Sequence, residues 1–391
     1  MKHLCTLSFL LLFFSIGAQE QVNSSTRIPT ATIYQEALQA IASYQFEEAL
    51  KYLSECYIRE QRNVDFISQI AYCHTQLGRY PDAKIYYSTA IKLDSVNITA
   101  ISSLGSIYEK ERNYKKALPY YQQLIELDAT NSFYYKRLAY LYSKLGDMFS
   151  GVEAFLKAHQ LNERDIEVIQ QLSDVYLRTD NLEYAEEMLR KGLNTDPNNI
   201  KLLHIKARIH KKKSEHEGVI SAVNRTMQQG DTTDYYQMIL GVAYLYMDSL
   251  EQSIFHLNAL VDREKDTEHT HHYLGVAYHR MDSLDRSVVH FETAIEKGIS
   301  QKIEVYYADL GSIAEERKDY KTAIAHYEKA YEYSDDPEFL FHLAHNYDLY
   351  YKDKKIAMRY YKKYRDSGNT KYQQYTLDRI EKLKEILHFQ R

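Results

Sequence analysis

Apolar and polar residues alternate along this chain with a helical rhythm from about residue 30 to the C-terminus. Large apolar side chains recur at three- and four-residue spacing with charged residues between them, which predicts a succession of amphipathic helices. The rhythm itself repeats. From Ala37, steps of 34 residues reach Ala71, Gly105, Ala139, Ser173, Ala207, Gly241 and Gly275, a step of 36 reaches Gly311, and one of 33 reaches Ala344. All ten are small, a coincidence on the order of one in ten million if small residues fill about a fifth of a chain.

The neighbours keep the same period. Ile70, Leu104, Leu138, Leu172, Leu240, Leu274, Leu310 and Leu343 immediately precede the small residue, and only Glu36 and Lys206 break the series. Tyr108, Tyr142, Tyr176, Tyr244, Tyr278 and Tyr347 follow it three residues later. A second small series lies twelve residues on: Ala49, Ala83, Ala117, Gly151, Ala185, Ser253, Ser287 and Ala323. Ala357 comes thirteen on, and Val219 is the one larger member. Four residues later stand bulky groups, among them Tyr87, Tyr121, Phe155, Leu189, Leu257, Phe291, Tyr327 and Tyr361. Each period therefore predicts two helices, each with a small notch that admits its neighbour and a bulky side chain beside it.

The breaks agree with this reading. Gly78-Arg79-Tyr80 and Gly146-Asp147-Met148 separate the two helices of their repeats. Asp248-Ser249-Leu250-Glu251 and Asp282-Ser283-Leu284-Asp285 read as caps opening second helices. Pro197 and Pro337 are expected between repeats, and Pro119 early in a second helix. Residues 372–388 form a last amphipathic helix, with Tyr372, Tyr375, Leu377, Ile380, Leu383, Ile386 and Leu387 on its apolar face. Asp378, Arg379, Glu381, Lys382, Lys384 and Glu385 are expected to face away, making it a cap for an otherwise exposed end.

This combination resembles the tetratricopeptide repeat family over residues 30–364. The stretch Ile101 to Asp128, with Leu104-Gly105, Tyr108, Tyr114, Ala117, Tyr121 and Leu124, matches closely, whereas the repeat around Lys206, Ala207 and Val219 matches least. The resemblance implies an all-α fold: a right-handed α-solenoid of about ten helix pairs with a C-terminal capping helix in residues 365–391. It also implies a non-catalytic scaffold for protein–protein interaction, whose groove is lined by the first helix of each pair. Carried onto this sequence, the groove takes Lys136, Tyr140 and Lys144 from the fourth repeat and Lys201, His204, Arg208, Lys211 and Lys212 from the sixth. The seventh supplies Tyr235, Met238, Val242, Leu245 and Tyr246, the eighth His272, His279 and Arg280, and the ninth Glu315 and Glu316. Such a lining suits an extended or helical partner segment, itself unidentified, with acidic and apolar side chains. A solvated face is the competing account of the basic run from Lys201 to Lys213. The first helix of the seventh repeat is apolar nearly all round, so either neighbouring turns of the solenoid or a partner must cover it. One known mode is excluded. Repeats that clamp a chaperone's C-terminal carboxylate need an asparagine just after the small residue, and none of Leu38, Tyr72, Ser106, Tyr140, Asp174, Arg208, Val242, Val276, Ser312 and His345 is one.

Composition narrows the picture further. Only 13 Gly and 5 Pro punctuate 391 residues, too few for a sheet protein of this length, while Tyr reaches 38. A net charge of −5 offers no bulk attraction to nucleic acid or anionic lipid, so partner choice must rest on local patches. Lys2 and His3, the apolar run Leu4 to Ile16, and Gly17-Ala18 make a signal peptide over residues 1–18, followed by a flexible segment 19–29. Export with cleavage near Ala18, to the periplasm or beyond, is the expectation. No later run reaches membrane-spanning length, so no insertion is expected after cleavage. Cys56 and Cys73 would lie on adjacent helices. A disulfide is geometrically possible there, and two buried free thiols are the simpler reading. No phosphate loop, nucleophile elbow or paired Cys-x-x-Cys is present, so no catalytic residue and no cofactor are expected. The histidine stripe His269, His272 and His279 leaves one alternative open, a protein that binds a metal or small ligand.

Overall fold

A computed structural model describes residues 28–298 and 302–389; the segment read as a signal peptide lies outside these. Among the described residues there are twenty-one α-helices and no strand. In chain order they are α1 (Thr30–Ala42), α2 (Phe46–Arg59), α3 (Val64–Gln76), α4 (Tyr80–Leu93), α5 (Ile98–Lys110), α6 (Tyr114–Leu127) and α7 (Ser132–Leu145). Next come α8 (Met148–Leu161), α9 (Ile166–Arg178), α10 (Leu182–Thr195), α11 (Ile200–Lys212), α12 (His216–Gln228), α13 (Asp234–Tyr246) and α14 (Leu250–Val261). The last are α15 (Glu268–Arg280), α16 (Leu284–Lys297), α17 (Ile303–Glu316), α18 (Tyr320–Tyr333), α19 (Pro337–Tyr350), α20 (Lys355–Asp366) and α21 (Gln373–Phe389). Each odd-numbered helix packs against the even-numbered helix that follows it, as an α-helical repeat solenoid requires. The chain divides into two compact units, one ending at Thr195 and the other beginning at Asp196.

The notch works by close approach. A Cβ on Gly275 would stand 2.7 Å from the buried Phe291 ring, one on Gly241 2.6 Å from Leu257, and one on Gly311 2.9 Å from Tyr327. In every case the intruder lies sixteen residues further on, in the partner helix. The second-helix notches add a polar bond that residue size alone does not reveal. Ser253 Oγ donates to the Gly241 carbonyl at 2.7 Å, and Ser287 Oγ to the Gly275 carbonyl at 2.8 Å.

Turns between paired helices share one conformation. Tyr44, Gly78, Arg112, Gly146, Asp180, Ser214, Asp248 and Asp282 follow one another at 34-residue steps, and all have positive φ, as does Lys318. This corrects the reading of the Asp-Ser turns. Asp248 and Asp282 serve as left-handed turn residues, and the N-cap residues Ser249 and Ser283 make no side-chain capping bond. Side-chain caps are commonest on the first helices, where Asn63, Asn97, Asn131, Asp165, Asn199, Thr267 and Asp336 accept from backbone N–H groups of the first turn, and Asn113, Asp147 and Asp319 do the same for the second helices α6, α8 and α18. Pro337 is not a separator but the first residue of α19, where its missing donor costs nothing. Pro119 stands inside α6.

The last helix differs from its expected face. Ile380 and Leu383 are buried against Phe341, Tyr361 and Tyr364, but Tyr375 and Leu377 are exposed. Arg379 does not face away: its Nη2 donates to the buried Asp348 carboxylate at 3.0 Å. Desolvating Asp348 is tolerable only because Arg379 and Lys354 sit beside it.

Candidate functional site

Side-chain bridges tie several successive odd-numbered helices together within each unit. In the first, Glu109 of α5 accepts from Arg137 Nε of α7 at 3.2 Å and from Tyr121 Oη at 3.2 Å. Lys136 of α7 lies 2.9 Å from Asp165 and 3.0 Å from Glu167, at the start of α9, and Tyr140 Oη donates to Glu167 at 2.9 Å. Burial works against the Lys136 charge, but its two carboxylate partners outweigh it and raise the pKa. Burial also pushes the Tyr140 phenol up, reinforced by Glu167. Lys136 and Tyr140, expected to await a partner, are therefore committed to holding α7 against α9. Lys144 is exposed.

In the second unit, Arg280 Nη1 of α15 donates at 3.0 Å to the Leu245 carbonyl, which lies in the last turn of α13. His272 Nε2 lies 3.2 Å from Asp309 and His279 Nε2 2.9 Å from Glu316, both on α17. Glu315 of α17 reaches Asn346 and His342 of α19. Burial would raise the Glu315 pKa, yet bonds from His342, Asn346 and Tyr327 hold it below the ordinary value. These contacts send the histidine stripe to separate partners: His272 and His279 pair with different carboxylates, and His269 lies 3.5 Å from Glu268. Among the described residues no three His, Cys, Asp or Glu side chains are grouped to hold a metal. Cys56 and Cys73 are buried free thiols, and burial pushes the Cys73 thiol up to about 11.

Helix α13 stands apart from this ladder. Only its backbone takes part, through the Leu245 carbonyl, and its one acidic residue, Asp234, pairs with Arg263. Tyr235, Met238, Val242 and Tyr246 recur at i, i+3, i+7 and i+11, one straight stripe along the helix. Tyr235 is 49% and Tyr246 58% exposed, while Met238 and Val242 are half-buried between them. Leu245, expected beside them in the groove lining, is buried instead, so α13 is covered there but not along this stripe. Aromatic neighbours stiffen both ends: His204 lies 5.6 Å from the Tyr235 ring, and His216 stacks on Tyr246 at 4.9 Å and 7°. Beside the stripe, α11 presents the exposed Lys201 and Lys211 and the half-buried Arg208. Sequence reasoning found these residues. It could not tell which would be spent on internal bonds, because the carboxylates lie 27–37 residues away.

Models of the tetratricopeptide repeat match residues 64–97, 100–132, 166–199 and 305–337. No curated protein matches the chain in sequence. Among solved structures, MamA from Desulfovibrio magneticus RS-1 is 24% identical, with 44% of this chain and 98% of that one covered and a TM-score of 0.41. A tetratricopeptide repeat protein from Parabacteroides merdae is 15% identical, with 64% and 98% covered and a TM-score of 0.44. The pilF protein of Pseudomonas aeruginosa is 16% identical, with 53% and 95% covered and a TM-score of 0.45.

Proposed function

Since the chain is a tetratricopeptide repeat protein, we propose that it is a non-catalytic interaction scaffold, exported to the cell envelope, which holds a segment of a partner protein on α13. Proteins of this family are interaction scaffolds, and their repeats carry no chemistry of their own. The observation that carries the reading is the half-exposed stripe Tyr235, Met238, Val242 and Tyr246 on a helix that the ion-pair ladder leaves unoccupied. Rigid aromatic side chains of this kind contribute most to binding per residue ordered, since they have few torsions to freeze. The partner segment brings apolar side chains for the stripe and acidic ones for Lys201 and Lys211 on the neighbouring helix. Export rests on the short basic and apolar leader, residues 1–18.

Affinity capture from the envelope fraction tests both parts at once. Wild-type protein recovers a defined partner, the doubly substituted Tyr235→Ser/Tyr246→Ser protein loses it at least tenfold, and the captured chain begins near Gln19. Equal recovery by Tyr235→Ser/Tyr246→Ser protein would remove the assignment to α13, and an intact Met1 would remove export.

A further inference from the structure

The second surface that stands out is α20. Its sequence carries Lys355, Arg359, Lys362, Lys363 and Arg365 against a single acid, Asp366, and no other even-numbered helix has a basic excess above one. Ala357, Met358, Tyr361 and Tyr364 are buried on one side of this helix. Lys355, Arg359, Lys362 and Lys363 recur at i, i+4, i+7 and i+8, which places them together on the opposite, exposed side. Asp366 is taken by Arg365 at 2.7 Å; among the described residues the one carboxylate within ion-pair distance of the four is Asp353, 3.9 Å from Lys355, and Glu328, which accepts from Tyr347 Oη at 2.9 Å, stands near the Tyr360 ring. A chain of net charge −5 thus concentrates an excess of positive charge on one stripe.

An aromatic strip runs into that stripe. Tyr350 lies 4.6 Å from Tyr351, Tyr351 5.5 Å from Tyr347, and Tyr347 5.3 Å from Tyr360. Arg359 and Lys363 each stand 5.5 Å from the Tyr360 ring. Around the turn that joins α19 to α20, Leu349, Tyr350, Tyr351 and Ile356 are exposed at 36–49%, with Lys352 and Lys355 between them. Exposed Tyr, Leu and Ile beside exposed Lys and Arg is the composition that suits the boundary between lipid headgroups and acyl chains.

We propose that this surface docks on an anionic bilayer, the stripe on α20 meeting headgroup phosphates and the turn at Leu349–Ile356 lying in the interfacial layer. An acidic protein segment would account for the cations but leave the exposed Leu349, Tyr350 and Ile356 without a role. No helix among the described residues is long and apolar enough to span a membrane, so the contact is peripheral. Each basic residue near such a surface contributes about fivefold to the partition, and the effect falls with salt.

Vesicle sedimentation of the full chain tests this, using phosphatidylcholine alone and phosphatidylcholine mixed with phosphatidylglycerol. The wild type should prefer the anionic vesicles at least tenfold, less so at high salt. The set K355E, R359E, K362E and K363E should abolish that preference at unchanged helix content. The milder set K355Q, R359Q, K362Q and K363Q should weaken it, and Y350S/Y351S should lower affinity for anionic vesicles while keeping the salt dependence. Equal partition of the wild type between the two vesicles would overturn the proposal, as would a preference that survives charge reversal. So would displacement by polyglutamate or inorganic phosphate as effective as that by anionic vesicles, since the stripe would then be a general anion site.

Discussion

A missing methyl group sets how closely paired helices approach in this protein. Gly275 sits where any Cβ would press on the Phe291 ring, and Ser287 bonds back to the Gly275 carbonyl. Gly275→Ala gains a little helix propensity and loses more to overpacking, for a net cost of about 2 kcal/mol in urea unfolding. Phe291→Leu in the Gly275→Ala background should recover part of that loss; a neutral Gly275→Ala would show that the approach is slack. The small-residue period was legible because a notch tolerates so few residue types. The turn conformation was hidden for the opposite reason. Tyr44, Arg112, Ser214 and Lys318 hold positive φ without being glycine, so residue identity does not report it. The first-helix caps Asn63, Asn97, Asn131, Asp165 and Asn199 also stand at a 34-residue spacing, a period legible in the sequence.

Between elements, polar bonds linking the paired helices α15 and α16 give the second unit a pH dependence. His290 of α16 lies with its Nδ1 2.9 Å from that of His271 on α15, and its ring stacks on Tyr278. His271 in turn meets Asp266 at 2.8 Å, and Asp266 meets Lys297 at 2.8 Å. Burial, and then the neighbouring His271, push His290 down to about 4. A histidine whose folded pKa is depressed binds its proton more readily when unfolded. Its stabilising contribution is therefore complete above the ordinary value of 6.5 and is lost as pH falls toward about 4. Urea unfolding between pH about 5 and 6 should show wild-type stability falling more steeply than that of His290→Gln, by up to ~1.4 kcal/mol per pH unit. Parallel slopes would place the titration elsewhere. Such links were illegible in sequence, since His271 and His290 carry no shared motif and meet only because α15 and α16 pack. The same holds for Arg379, read as solvent-facing and found on the buried Asp348 of α19.

At the scale of the molecule, repeats that look alike in the alternation of small and bulky residues differ in what they do with the polar and aromatic side chains of their first helices. Lys136 and Tyr140 join repeats, and His272 and His279 do the same further on. Helix α13 combines an apolar stripe with little part in that ladder, and the binding function is proposed there for that reason. The most direct test places a photo-crosslinking residue at Val242, in the middle of the stripe, and in a second protein at Val289, which is exposed on α16. The account predicts one partner adduct from position 242 and none from position 289. Adducts from position 289 with none from position 242 would contradict it.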